Sequence, residues 1–176
     1  MSQTIDPVSS PEAYRASLLA ALGDDDPADA QAETPAAIRA LIAEAGDRLR
    51  VRPEPGEWSV LECVGHITDS EMIVAARVRW ILAEDEPDIV GYDQALWVAG
   101  LEHNQDDPAR LVATFAALRD ANLDLWARRS PADRERIGRH RERGAESYDM
   151  TFRLAAGHDR IHLAQARRAL AAVTGD

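Results

Sequence analysis

SVLECVGHITDSEMIVAARVRWILA, residues Ser59–Ala83, is the stretch on which the fold class turns. Ser59 stands three residues before Glu62, the spacing of a capping box, in which hydroxyl and carboxylate each satisfy a backbone N–H at a helix start. Val60, Val64, Ile67, Val74, Val78 and Ile81 or Leu82 follow at three- and four-residue steps. One face of a long helix is therefore apolar. Trp58, just before the cap, is placed to act as a hydrophobic staple. Upstream, Arg52-Pro53-Glu54-Pro55-Gly56 is rigid, non-helical punctuation. Downstream, Glu84–Asp88 ends the helix, with Pro87 as the breaker.

The pattern recurs on both sides. Thr34-Pro35 reads as a cap and a first helical residue, with Ile38, Leu41, Ile42 and Ala45 at helical spacing to about Leu49. Asp107-Pro108 opens a helix carrying Leu111, Val112, Phe115, Leu118, Leu123 and Trp126, ending near Ser130-Pro131. Ser147 is placed to cap a last helix that runs to about Val173 and stops at Gly175. Four such helices predict an all-α protein, a four-helix bundle over residues 35–176. Residues 1–34 are expected to form an N-terminal extension. In it Met1–Ser10 is frayed, a short helix runs from Pro11 through Tyr14, Leu18 and Leu22 to Gly23, and Asp24–Thr34 is an acidic loop. Two connections are read as loops. Ile89–Asp106, between helices two and three, is long enough to cross an end of the bundle, and Pro131–Glu146 is polar.

Composition narrows the function classes. The chain has 176 residues, 45% hydrophobic and 29% charged, which suits one globular domain with its own core. Its net charge of −11 repels a phosphate backbone, so nucleic acid is not an expected partner. The basic run Arg134–Arg143 is diluted by Glu135 and Glu142, and by the adjacent Asp133, and reads as a solvated loop. A single cysteine allows no intrachain disulfide. Met1–Ser10 lacks the basic start and apolar run of a signal peptide, and no stretch is long and apolar enough to span a membrane. A cytoplasmic location with no membrane partner is the resulting expectation.

His158 and His162 lie four residues apart, so a helix presents both imidazoles on one face. Leu154, Ala155, Ala166 and Ala169 continue that stripe, which places the pair on or beside the inward face. Two neutral imidazoles one turn apart can share a divalent cation of the zinc or nickel type. His66, at the edge of the apolar stripe of the second helix, is the candidate third ligand. Three histidines would leave a coordination position open, the pattern of a catalytic site. The same spacing also suits hydrogen-bonded core histidines.

Two segments resemble the DinB-like family of helical-bundle proteins. Pro55-Gly56-Glu57-Trp58-Ser59, with Glu62, His66, Asp69 and Glu71, is similar to the family's PGxWS…E…HxxDxE stretch. His158-Asp159-Arg160-Ile161-His162-Leu163-Ala164-Gln165 is similar to its HDxxHxxQ stretch. Gly91-Tyr92-Asp93-Gln94 and Arg143-Gly144 also stand where such proteins often have like residues, and the resemblance covers roughly residues 35–172. It implies a four-helix bundle that binds one divalent metal (zinc, nickel or iron) through His66, His158 and His162, and it makes a homodimer an expectation. It also implies a metal-dependent enzyme acting on a small-molecule substrate. Thiol S-transfer with a low-molecular-weight thiol, metal-dependent hydrolysis and a non-enzymatic metal-binding stress-response bundle are the readings it leaves.

The remaining candidates have two readings each. Glu71 falls within the apolar stripe of helix two, so it is either a catalytic base or ligand-orienting group near the metal, or an ion-pair partner of Arg77, Arg79 or Arg153. Asp69 and Asp159 either orient an imidazole or a water, or are solvated acids. His103 and His140 are expected at the surface, although His140 could reach over a bundle end as an acid or base. Cys63 is expected as a small buried residue. Trp58, Trp80 and Trp126 are expected in the core or a pocket wall, and Tyr92 and Trp97 along a substrate cleft.

Overall fold

Side-chain caps set where the helices start, and the computed structural model, which describes residues 10–175, shows most of them at the expected positions. Ser59 and Glu62 form the reciprocal capping box of α3 (Val60–Ala83), and Arg52 holds the Glu62 carboxylate from outside, its Nε 2.9 Å away. Asp107 caps α5 (Pro108–Ala127), and Ser147 caps α7 (Tyr148–Thr174), which stops at Gly175 in the left-handed region. The short helix α1 (Pro11–Leu22) ends at Gly23 as expected.

The first long bundle helix starts earlier than the Thr34-Pro35 signal suggests. In α2 (Pro27–Ala45), Asp26 is the cap, accepting from the backbone N–H groups of Ala28 and Asp29, and Pro35 sits inside the helix. The expected acidic loop is therefore mostly helical, and residues 34 and 35, the expected boundary of an extension, lie within α2. An internal proline costs a helix one hydrogen bond, because it has no N–H for the carbonyl four residues back. That carbonyl belongs to Gln31, and Arg119 Nη1 donates to it at 3.0 Å. A long-range donor thus replaces the missing local one. The expected frayed stretch Met1–Ser10 lies outside the described residues except for Ser10.

The helices α2, α7, α3 and α5 pack in a ring, each against the next, and α1 lies along the outside of α7. The α1–α7 approach is close because Gly157 has no side chain: a Cβ there would lie 2.0 Å from the Leu18 carbonyl oxygen. The apolar core has two main parts. One gathers Ile38, Leu41, Leu61, Val64, Ile67, Phe115 and Leu170; the other gathers Val78, Ile81, Trp126, Tyr148 and Phe152. In the second, the Trp126 and Phe152 rings stack 4.1 Å apart.

The two expected loops carry structure of their own. The first connection holds β1 (Asp88–Ile89), α4 (Gln94–Gly100), capped by Asp93, and a single 3-10 turn at His103–Gln105. The polar run forms α6 (Pro131–Arg134) and a hairpin of β2 (Ile137–His140) and β3 (Gly144–Ser147). β1 pairs parallel to β2, and β2 pairs antiparallel to β3. Three arginines of this run are tied into the fold: Arg134 lies over the Trp126 ring, Arg136 donates to the Ile81 and Glu84 carbonyls, and Arg143 pairs with Glu146, while Arg139 and Arg141 stay exposed as a solvated run would have them. The sequence reads as a loop because the inward-facing hairpin positions are Gly138, His140 and Glu146 rather than apolar residues. Trp80 also departs from expectation, being 43% exposed on α3.

Arg119 is wholly buried and reaches three other helices from α5. It donates to both Glu71 oxygens at 3.0 and 2.7 Å and contacts Asp159 Oδ2 at 2.8 Å, besides the Gln31 carbonyl. Removing one partner of a buried ionic cluster strands the others in a poorly solvating interior and costs about 3–5 kcal/mol. Arg119→Met should therefore lower unfolding stability in urea by that order. A loss below about 1 kcal/mol would mean the cluster contributes no more than a surface pair.

Candidate metal centre

The three candidate histidines converge where α3 meets α7. One ring nitrogen from each of His66, His158 and His162 lies within 4.8 Å of the other two, and all three side chains are buried. His66 Nε2 and His158 Nε2 face one another at 3.0 Å. Two nitrogens bound tetrahedrally to one zinc ion, each at about 2.0–2.1 Å, lie about 3.3 Å apart, so this spacing is already close to that of a shared cation. It also suits a single N–H···N hydrogen bond, and the donor set rather than this distance decides the fit.

That donor set is favourable. Burial pushes the pKa of His66 and His158 well below the usual histidine value, helped by the neighbouring imidazoles, and brings His162 down to about 4. All three rings are thus neutral near pH 7, the state that ligates a metal. His162 Nδ1 lies 2.9 Å from Gln165 Oε1, so Nδ1 carries the proton and Nε2 keeps its lone pair. The Trp58 ring packs 5.1 Å from His66 and 6.1 Å from His162, shielding that side of the cluster. Trp58 is therefore a wall of the site rather than only a staple. Gln165 was visible in the HDxxHxxQ stretch, but its role follows only from the contact.

Two recesses reach the histidines. One ends on His66 and His158 and is lined further by Tyr92, Arg77 and His140; the other ends on His162 and is lined by Trp58, Gln165 and Arg168. Gln94, at the start of α4, borders both. Tyr92 thus lines a cleft as expected, while Trp97 supports it from behind at 4.5 Å between ring centroids.

The acids around the centre are engaged with other partners. Asp69 is buried and contacts His103 Nε2 at 2.7 Å, so it orients an imidazole, but not a ligand imidazole. Asp159 is held by Arg119 and by the Thr34 hydroxyl at 2.9 Å. Neither is a solvated acid. Glu71 takes the ion-pair geometry, but with Arg119 and Asn122 rather than Arg77, Arg79 or Arg153. The signal for this lay in α5, where Arg119 and Asn122 fall on the same helical face as Phe115 and Trp126. Cys63 is fully buried in the core, and burial raises its pKa to about 12, so it is inert as a thiolate.

His103 and His140, expected at the surface, are both buried. His103 fits against α3 because residue 65 is glycine; a Cβ there would lie 2.4 Å from the imidazole. His140 lies on β2, whose inward face closes one recess.

A profile of the DinB superfamily matches residues 17–166. The chain belongs to the DinB superfamily. The match begins within α1, ahead of the four long helices. A protein of Oceanobacillus iheyensis named as a candidate metal-dependent hydrolase is 30% identical over 109 residues, 62% of this chain and 63% of its own length. A similarly named protein of Geobacillus thermodenitrificans is 35% identical over 66 residues, 37% of each chain. The matched stretches thus span less than two thirds of either curated relative. YfiT from Bacillus subtilis, described as a candidate metal-dependent hydrolase with an unusual four-helix bundle topology, superposes with a TM-score of 0.74. That superposition covers 99% of this chain and 93% of YfiT at 20% identity, and establishes the shared fold.

His103 gives this region a pH dependence of definite sign. Its ring nitrogens face Asp69 and Asp106, each at 2.7 Å, and only the imidazolium can donate to both. The hydrogen bond to Asp69, above all, raises its pKa. A raised folded-state value means the stabilisation is fully present below the unfolded value and is lost as pH rises through the folded one. The stability difference between wild type and His103→Gln should therefore be largest near pH 5.5 and shrink steadily above about pH 6.5. A difference that grows with pH in urea titrations would show that His103 is buried neutral.

Proposed function

We propose that the protein is a divalent-metal-dependent hydrolase whose metal is held by His66, His158 and His162. The observation that carries this reading is the convergence of three neutral, buried imidazoles from two helices, with an accessible recess on either side. The names borne by its relatives support the same class. When bound, the cation would supply Lewis acidity and lower the pKa of a coordinated water or thiol.

The chain's own residues do the rest. Gln165 fixes the tautomer of His162, and Trp58 excludes solvent from one side. Glu71 serves as a positioning residue rather than a general base, because Arg119 and Asn122 occupy its oxygens and it holds α3 against α5. Three neutral ligands leave the charge of the cation undiminished, which favours a tightly held anion or a strongly acidified nucleophile. The donor set suits zinc, nickel and iron alike.

Thiol transfer is the second reading. It is favoured by the two recesses, which would accept a thiol on one side and its electrophile on the other.

Wild-type protein purified without chelator should carry about one divalent metal per chain by mass spectrometry. His66→Ala, His158→Ala and His162→Ala should each lose most of it while keeping their helical circular dichroism. Metal-loaded wild type should hydrolyse activated esters, and His158→Ala should not. Metal retained in the His158→Ala/His162→Ala double variant would refute the site. An ester-inert, metal-loaded protein that conjugates cysteine to chlorodinitrobenzene would establish the second reading instead.

A further inference from the structure

Four side-chain nitrogens of residues lining the recess that ends on His66 and His158 are buried with no hydrogen-bond partner among the described residues: Nδ1 of each of those two histidines, and, away from the histidine centre, Arg77 Nε and His140 Nε2. Arg77, only 9% exposed, spends one Nη2 bond on the Val90 carbonyl at 2.9 Å, while its buried Nε has no partner. His140, 2% exposed, accepts from the Glu142 backbone N–H through Nδ1, 3.2 Å away. Its proton must then sit on Nε2, which is buried and also unpartnered. Burial and the nearby arginines lower its pKa to about 4, so it remains a neutral donor. Both residues line the same recess as the two ligand histidines.

Buried donors are rarely left without acceptors, because an unmade bond in the interior forfeits the solvation of the group. Two such donors in one recess mark the place of an acceptor that the protein does not supply. Tyr14 and Tyr92 add hydroxyls to the same wall, and burial keeps both protonated. The ionised groups of the recess, Arg77, Arg143, Glu142 and Glu146, sum to zero, and Arg143 is already committed to Glu146. In the metal-free protein that balance disfavours a phosphate dianion. It suits a singly charged, planar acceptor facing Arg77 and the His140 N–H.

We infer that this recess is a carboxylate subsite: Arg77 Nε and His140 Nε2 bind a carboxylate on the substrate and so orient its reacting group toward the histidine centre. The inference rests on the metal-dependent reading for its catalytic meaning, but not for the binding itself. It makes the substrate class a small molecule carrying a carboxylate beside the bond that is broken.

The test is a titration of zinc-free and zinc-loaded wild-type protein with propionate, followed by 1H–15N NMR of the Arg77 Nε and His140 Nε2 groups. Propionamide serves as the uncharged control and inorganic phosphate as the dianion. Both resonances should shift saturably with propionate in each form of the protein, and not with propionamide. Arg77→Met and His140→Phe, checked for folding by circular dichroism, should each weaken propionate at least about tenfold, the usual loss for a charge-assisted hydrogen bond. Propionate that moves neither resonance of the wild type would overturn the subsite whether or not the variants fold. Phosphate binding to the zinc-free protein as tightly as propionate would overturn the carboxylate assignment. Saturable shifts in a protein that never binds metal would leave the subsite standing and remove the hydrolase. Ester turnover without any shift would do the reverse.

Discussion

A single buried guanidinium holds the bundle together. Arg119 projects from α5 through the middle of the helix ring and engages α2, α3 and α7 at once. Burying an ion is costly, and the cost is offset only when every donor finds an acceptor. Here the acceptors are Glu71, Asp159 and the carbonyl that Pro35 leaves unpaired within α2. The proline would be a defect without the arginine, and the arginine would be an unsatisfied charge without the carboxylates. Their mutual satisfaction fixes how α3 stands against α7, and that relation brings His66 to His158.

A second layer of polar contacts then controls the immediate surroundings of the centre. The Asp69–His103–Asp106 chain anchors the connection between α3 and α5, and Gly65 makes the room for it beside His66. Gln165 secures His162 from its own helix. The acids that stand beside the three histidines in sequence therefore turn away from them in space, and build the frame around them. Among the described residues, the three histidines are the group of His, Cys, Asp and Glu side chains whose ligand atoms lie close enough together to share an ion.

The sequence was most informative where structure is regular. Caps, apolar stripes and the four-residue step from His158 to His162 depend on local geometry, and the bundle and that histidine pair were legible from them; His66 joined the pair through the resemblance to the DinB-like family. What depended on distant partners was not. Pro35 looked like a helix start because its rescuing donor lies in α5, far along the chain. His103 and His140 looked like surface residues because loops usually are. One is buried by the absence of a side chain at Gly65, and the other by strand pairing within a hairpin whose inward positions are not apolar. Glu71 was recognised as a buried acid, but its partner could be named only once α3 and α5 were seen side by side.

The histidine trio lies between two recesses, with Gln94 at the border of both. A centre approached from one side imposes a queue, since the first molecule to enter blocks the second. A centre approached from two sides imposes none. For a transfer between two reactants, either could arrive first and neither need leave before the other binds, so the geometry would permit a random order of addition and a ternary complex, and it would demand no exchange half-reaction.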